Sequence, residues 1–144
     1  MIEKKPKIAI SIGDLNGIGI EIALKCHEKI SKICTPIYCI NNKMLKLASE
    51  ELKIQIPNDF EIFKTKGEFE IKPGIVSKKS GRYSYDSFMD AINLAKNNEV
   101  DAICTLPINK EAWNKANIKY KGHTEVLRDF FGKNAIMMLG CKKM

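Results

Sequence analysis

The sequence predicts an α/β fold: a mainly parallel sheet with flanking helices. Two observations carry this expectation. Short β-branched runs recur along the chain as "KIAISI", "TPIYCI", "VDAICTLP" and "AIMMLG", and stretches with apolar residues at helical spacing stand between them. Strands that alternate with helices are joined by crossovers, and crossovers make parallel sheets.

The elements follow in order. "KIAISI" (7–12) is a strand closed by Gly13. "GIGIEIALKCHEKI" reads as a helix whose buried face is drawn through Ile18, Ile22, Leu24 to Cys26 and Ile30, with His27 solvated in a polar stretch. "TPIYCI" is the second strand, and "NNKMLKLASEEL" a helix capped by Asn41 or Asn42. "FEIFKT" is a third strand. Gly67 to Gly81 is polar and interrupted by Pro73 and Gly74, so it reads as a loop or short hairpin. In "YSYDSFMDAINLAKNN", Tyr85, Phe88, Met89, Ile92 and Ala95 keep the i, i+3, i+4, i+7 spacing of a helix. "VDAICTLP" is a buried strand ended by Pro107, "NKEAWNKA" a short helix, and a helix starting near Thr124 presents Val126, Leu127, Phe130 and Phe131. "AIMMLG" is a last buried strand, after which the chain ends at "GCKKM" with nothing to cover it.

Composition narrows the function classes. A chain of 144 residues with 44% hydrophobic and 28% charged residues is in the globular range and has enough length for a core. The net charge of +7 comes from lysines spread over nearly every segment, which reads as a solvated surface. Arg82 and Arg128 are the only arginines, and aromatics do not interleave with basic clusters, so nucleic acid is not an expected partner. No apolar run reaches membrane-spanning length, and the N-terminus has no leader-like apolar core, so the expectation is a cytoplasmic protein without membrane contact. Cys26, Cys34, Cys39, Cys104 and Cys141 are odd in number and lack C-x-x-C spacing, which fits reduced, partly buried thiols and no structural zinc.

Three stretches bear on chemistry. "SIGDLNGIGIE" places Gly13, Gly17 and Gly19 between a strand and a helix, in a spacing that matches neither the dinucleotide fingerprint nor a P-loop. From spacing alone a tight turn needing positive φ stands ahead of a ligand loop. Asp14 would lie at the carboxyl end of the first strand, where open α/β sheets bind ligands. In "TLPINKEAW", Asn109 and Lys110 leave a strand at that same edge. They either hydrogen-bond a carboxylate or phosphate, or cap a helix and face solvent. In "YKGHTEVLRDF", His123 and Thr124 stand at a helix start, where N–H groups and the dipole favour an anion.

Together, in this order, the stretches resemble the 4-hydroxythreonine-4-phosphate dehydrogenase family. Gly13, Asp14, Gly17, Ile18, Gly19 and Glu21 fit its P-G-D-P-A-G-I-G-P-E pattern, with Leu15, Asn16 and Ile20 standing for Pro, Ala and Pro. Thr105, Pro107, Ile108, Asn109, Lys110 and Glu111 fit T-x-P-I-N-K-E, and Gly122, His123, Thr124 and Glu125 fit G-H-T-E. The resemblance implies an isocitrate/isopropylmalate dehydrogenase-like fold, incomplete here. Residues 1–115 would form an N-terminal α/β domain, and 116–144 the truncated start of a second. It implies an NAD- or NADP-dependent oxidation of 4-phosphohydroxy-L-threonine, with decarboxylation of the 3-oxo product, in pyridoxine and pyridoxal phosphate biosynthesis by a homodimer. His123 and Thr124 would bind substrate, with Asp14, Asn109 and Lys110 as possible cleft-lining residues. A divalent metal (Zn, Mg or Co) would belong to the full-length parent, its histidine ligands lying beyond this chain. The piece alone is expected to be inactive. The alternative is a non-catalytic anion-binding or subunit-interaction module derived from that enzyme.

Overall fold

A computed structural model describes residues 4–134 and Ile136. Four strands, β1 (Lys7–Ser11), β2 (Thr35–Cys39), β3 (Ile62–Phe63) and β4 (Ala102–Thr105), form one sheet in the order β3-β2-β1-β4. Every pairing is parallel. The helices between and after them are α1 (Gly19–Ile30), α2 (Asn42–Leu52), α3 (Lys78–Lys96), α4 (Lys110–Lys115) and α5 (His123–Phe131). The expected α/β class with a parallel sheet and flanking helices is what the chain forms. The "AIMMLG" strand and Cys141 lie outside the described residues.

Alternation along the strands splits the core into two layers, because successive side chains point to opposite faces. Ile10 and Tyr38 face α1 and α2, where Ile20, Ala23, Leu24, Met44, Leu45 and Ala48 close over them. Ala9 and Cys39 face α3 at Ala91 and Leu94. The far side of α3 presents Phe88 and Ile92 to Trp113 of α4 and Val126 of α5, so α3 is covered on both sides. Ser87 ties this helix to the sheet: its Oγ accepts from Ile12 N at 2.9 Å and donates to the Cys39 carbonyl at 2.6 Å. Cys26, Cys34, Cys39 and Cys104 are free thiols, and burial pushes Cys39 up to about 12, which keeps it protonated and unreactive.

Asn41 is the cap of α2. Its Oδ1 accepts from Met44 N at 2.9 Å, and its Nδ2 donates to the carbonyls of Thr65 (2.9 Å) and Gly67 (2.8 Å). One side chain therefore starts a helix and fastens the segment after β3. Replacing Asn41 with alanine removes the cap and leaves two carbonyls short of a donor. The expected loss is about 2 kcal/mol of unfolding free energy, read as a lower urea midpoint.

Several local expectations are corrected. Ile18 and Ile22 are exposed (61% and 38%), and α1 buries Gly19, Ile20, Ala23, Leu24 and His27 instead. His27 is thus not solvated. It is 1% exposed, its Nδ1 shares a hydrogen bond of 2.9 Å with Tyr38 Oη, and the Phe60 ring centroid is 5.1 Å from its own. The carboxylate of Asp59 lies 3.0 Å from its Nε2. The third strand shrinks to Ile62–Phe63 because Phe60 turns inward to stack on Tyr38 at 3.8 Å. The loop expected over Gly67 to Gly81 ends early: Ser77 Oγ accepts from Ser80 N at 3.0 Å and starts α3 at Lys78. Among the described residues the strand expected to be buried, β4, lies at the edge of the sheet, with Ala102, Cys104 and Thr105 exposed and Ile103 half-buried. Edge position, which local pattern does not encode, decides this.

Candidate functional site

Parallel strands deliver their following loops to one edge of the sheet; the first two motif stretches leave β1 and β4 there, and the third follows α4. The first is the β1–α1 turn. Gly13 has φ +70, and a Cβ on it would overlap the Pro107 carbonyl oxygen and stand 2.9 Å from that of Leu106. A Cβ on Gly19 would stand 2.9 Å from the Ile12 carbonyl oxygen. These two glycines serve a tight turn packed on the chain's own backbone, as the spacing predicted. Asp14 is 6% exposed and committed to that turn. Its backbone N donates to Pro107 O at 2.9 Å, and its Oδ1 accepts from Asn16 N at 2.9 Å. Asn16 continues the network, accepting from Lys72 N at 2.8 Å and donating to Ile75 O at 2.7 Å.

The second stretch leaves β4 and enters α4. Asn109 Oδ1 accepts from Ala112 N at 2.9 Å, so this side chain is used as the cap. Lys110 follows as the first helical residue, exposed and without a carboxylate partner among the described residues. Three residues on, Trp113 is fully buried and its Nε1–H donates to Ser84 Oγ at 2.7 Å, which fixes α4 against α3.

The third stretch is the start of α5. Gly122 is extended there, with φ 169 and ψ −174, and no side chain caps the helix. Glu125 Oε2 instead accepts from Lys121 N at 2.8 Å, bracing the entry from within the first turn. The His123 ring stands edge-on to Phe88 (4.7 Å between centroids, 83°) and to Trp113 (5.8 Å, 78°). Its Nε2 is buried with no hydrogen-bond partner among the described residues. Burial, and secondarily the nearby Lys110 ammonium, hold this imidazole below its ordinary range, so it is neutral at neutral pH. Thr124 is exposed beside it.

An open cleft of about 310 Å³ joins the last two stretches, with Ile108 and Lys110 on one wall and Lys121, Gly122, His123, Thr124 and Glu125 on the other. Of the residues expected from sequence, Lys110, His123 and Thr124 meet in this cleft. Asp14 and Asn109 do not line it; both are engaged in turn and cap hydrogen bonds. Lys121 and Glu125 line it although the sequence reading gave them no role. Their signal was position, since each directly flanks the glycine-histidine-threonine group. Such a cleft offers two ammonium groups, uncapped helix N–H groups, a hydroxyl and a neutral imidazole. It can hold a small anion that also carries a hydroxyl. No group of three His, Cys, Asp or Glu side chains among the described residues is placed to hold a metal ion.

Residues 32–144 match the family model described as pyridoxal phosphate biosynthetic protein PdxA. The chain is 59% identical, over 97% of its length, to a protein of Sulfurimonas denitrificans named 4-hydroxythreonine-4-phosphate dehydrogenase, and covers 46% of that protein. It is 58% identical over 96% of its length to the protein of that name from Campylobacter fetus, covering 45% of it. Among solved structures, the 4-hydroxythreonine-4-phosphate dehydrogenase of Burkholderia phymatum superposes with a TM-score of 0.80 at 27% identity, over 92% of this chain and 46% of the other. The chain spans about half the length of the curated relatives it matches.

Proposed function

The chain belongs to the PdxA family of pyridoxal phosphate biosynthetic proteins, and on that premise we propose that it is the N-terminal part of a dehydrogenase oxidising 4-phosphohydroxy-L-threonine. The observation that carries this reading from family to molecule is the cleft where Lys110, His123 and Thr124 converge at the uncapped start of α5. A phosphorylated hydroxy-amino acid has an anionic end and hydroxyl groups, and the cleft offers a partner to each. In this reading His123 and Thr124 bind substrate. In the full-length enzyme NAD or NADP would supply the hydride acceptor, and the 3-oxo product would lose carbon dioxide on the way to pyridoxal phosphate.

The resident metal that the resemblance implies does not fit the described residues, since no three potential ligands converge among them. The glycine turn after β1 is closed by its own backbone carbonyls, so the coenzyme is assigned to the rest of the enzyme rather than to this loop. The working protein is taken as a cytoplasmic homodimer, with 1–115 as one α/β domain and 116–144 opening the next. No helix among the described residues is long and apolar enough to cross a membrane.

Isothermal titration of the chain with 4-phosphohydroxy-L-threonine tests the reading. Binding is expected. Thr124→Val is expected to weaken it by about tenfold, the loss that follows when a hydrogen bond to a charged group goes unmade. NAD reduction by the chain alone is expected to be absent. Binding that is undetectable, or that Thr124→Val leaves untouched, would remove the cleft from the proposal.

A further inference from the structure

We propose, resting on that reading of the cleft, that Lys110 is the residue that receives the anionic group of the ligand, and that His123 and Thr124 are left to take a neighbouring hydroxyl. The ligand class is then a small molecule with a phosphate-like dianion and a hydroxyl close by.

The geometry begins with the cap. Because Asn109 spends its side chain on Ala112 N, Lys110 is held at the first position of α4 and extends toward α5 rather than along its own helix. Its stem reaches Gly122: a Cβ built there would touch Lys110 Cε at 3.7 Å. The φ of 169 at this glycine is one that any residue adopts, so the backbone does not require glycine here. What the bare position does is leave the lysine stem in place, since any side chain longer than alanine would compete with it for that space. The ammonium is thereby carried to the same cleft as Thr124 and His123.

His123 is a poor countercharge in this setting. From α3 it faces Phe88, and from α4 it faces Trp113 and Lys110. From the loop before α5 comes Lys121, and from its own helix Glu125, whose carboxylate accepts from Lys121 N. Aromatic burial and a neighbouring ammonium both disfavour imidazolium. A neutral imidazole offers a directional hydrogen bond, not a charge, and that suits a hydroxyl. Lys110 and Lys121 have no carboxylate partner for their ammonium groups among the described residues. Lys25, Lys32, Lys43, Lys46, Lys72 and Lys115 each pair with a glutamate. Lys110 and Lys121 thus bring two uncompensated ammonium groups to the cleft, next to helix N–H groups that carry partial positive charge.

Two NMR measurements on the chain test the assignment, with inorganic phosphate as the probe. In the first, amide shifts of Gly122 to Glu125 follow a phosphate titration. Lys110→Met is expected to weaken binding by about tenfold, Lys110→Arg to restore most of it, and His123→Asn to change it less than threefold. In the second, without phosphate, the His123 imidazole is titrated directly. It is expected to take up its proton at higher pH in Lys110→Met than in the unaltered chain, a change that a purely structural role for Lys110 would not produce. An unaltered chain that ignores phosphate overturns both the cleft reading and this assignment. A chain that binds phosphate, loses it in His123→Asn and keeps it in Lys110→Met overturns the assignment alone, as does an unmoved His123 titration in Lys110→Met.

Discussion

Gly81→Ala is expected to destabilise the chain by about 3 kcal/mol, seen as a large drop in the urea midpoint at unchanged slope. Helix propensity argues the other way. In an exposed helix interior, replacing glycine with alanine stabilises by roughly 1 kcal/mol, and Gly81 is the fourth residue of α3. The contact reverses the sign. A Cβ at this position would overlap the Ala112 carbonyl group and stand 2.9 Å from Trp113 N. Those are backbone atoms of α4, which cannot rotate aside as a flexible side chain would. To make room α4 would have to move away from α3, and Trp113 holds it there through Ser84, whose Oγ in turn donates to the Gly81 carbonyl at 3.0 Å. Overpacking of this kind costs typically 1–3 kcal/mol beyond the propensity gain, and more where the neighbour is rigid. Equal or greater stability in the alanine variant would mean that the two helices do not approach through this glycine.

The same residue explains part of what the sequence concealed. A glycine and a proline-glycine pair upstream read as a loop, yet Gly81 lies inside α3 and is glycine because α4 needs the space, and that requirement belongs to tertiary packing. His27 was misread for a different reason: its neighbours Lys25, Glu28 and Lys29 are polar, so the stretch looked solvated. The signal was present in the spacing of Ile20, Ala23, Leu24 and His27, which repeats i, i+3, i+4, i+7 and is the face α1 buries. Tracing the face through Ile18 and Ile22 instead placed the histidine on the wrong side. β1, β2, α2 with its Asn41 cap, and the core of α3 were legible because local periodicity and capping decide them. Each half of the cleft was legible as a motif at a helix start. The cap at Asn109 was one of the two roles its position left open. Asp14 is tied to Pro107, distant in sequence, and Lys110 reaches Gly122 through the packing of α4 and α5 around one tryptophan, and neither of these was legible.

Trp113→Ala is the substitution expected to join stability and site most directly. Trp113 is fully buried between α3 and α5, in contact with Phe88, Tyr85 and His123. Truncation to alanine removes most of that apolar area, leaves a cavity and frees Ser84 from its donor. The expected cost is about 4 kcal/mol, a large share of the stability of a domain this size. Trp113→Phe keeps the apolar contact and loses only the Nε1–H bond to Ser84, whose hydroxyl still has the Gly81 carbonyl, so about 1 kcal/mol is expected. The two variants also separate packing from electrostatics at His123. Its imidazole is held down first by burial and second by Lys110. Opening the aromatic wall in Trp113→Ala should raise its titration toward the ordinary histidine range even with Lys110 in place, while Trp113→Phe should leave it nearly where it was. If alanine fails to move that titration, the neutrality of His123 does not come from the tryptophan wall. Lys110 would then be its main cause, and the division of labour in the cleft would rest on one lysine rather than on the core beneath it.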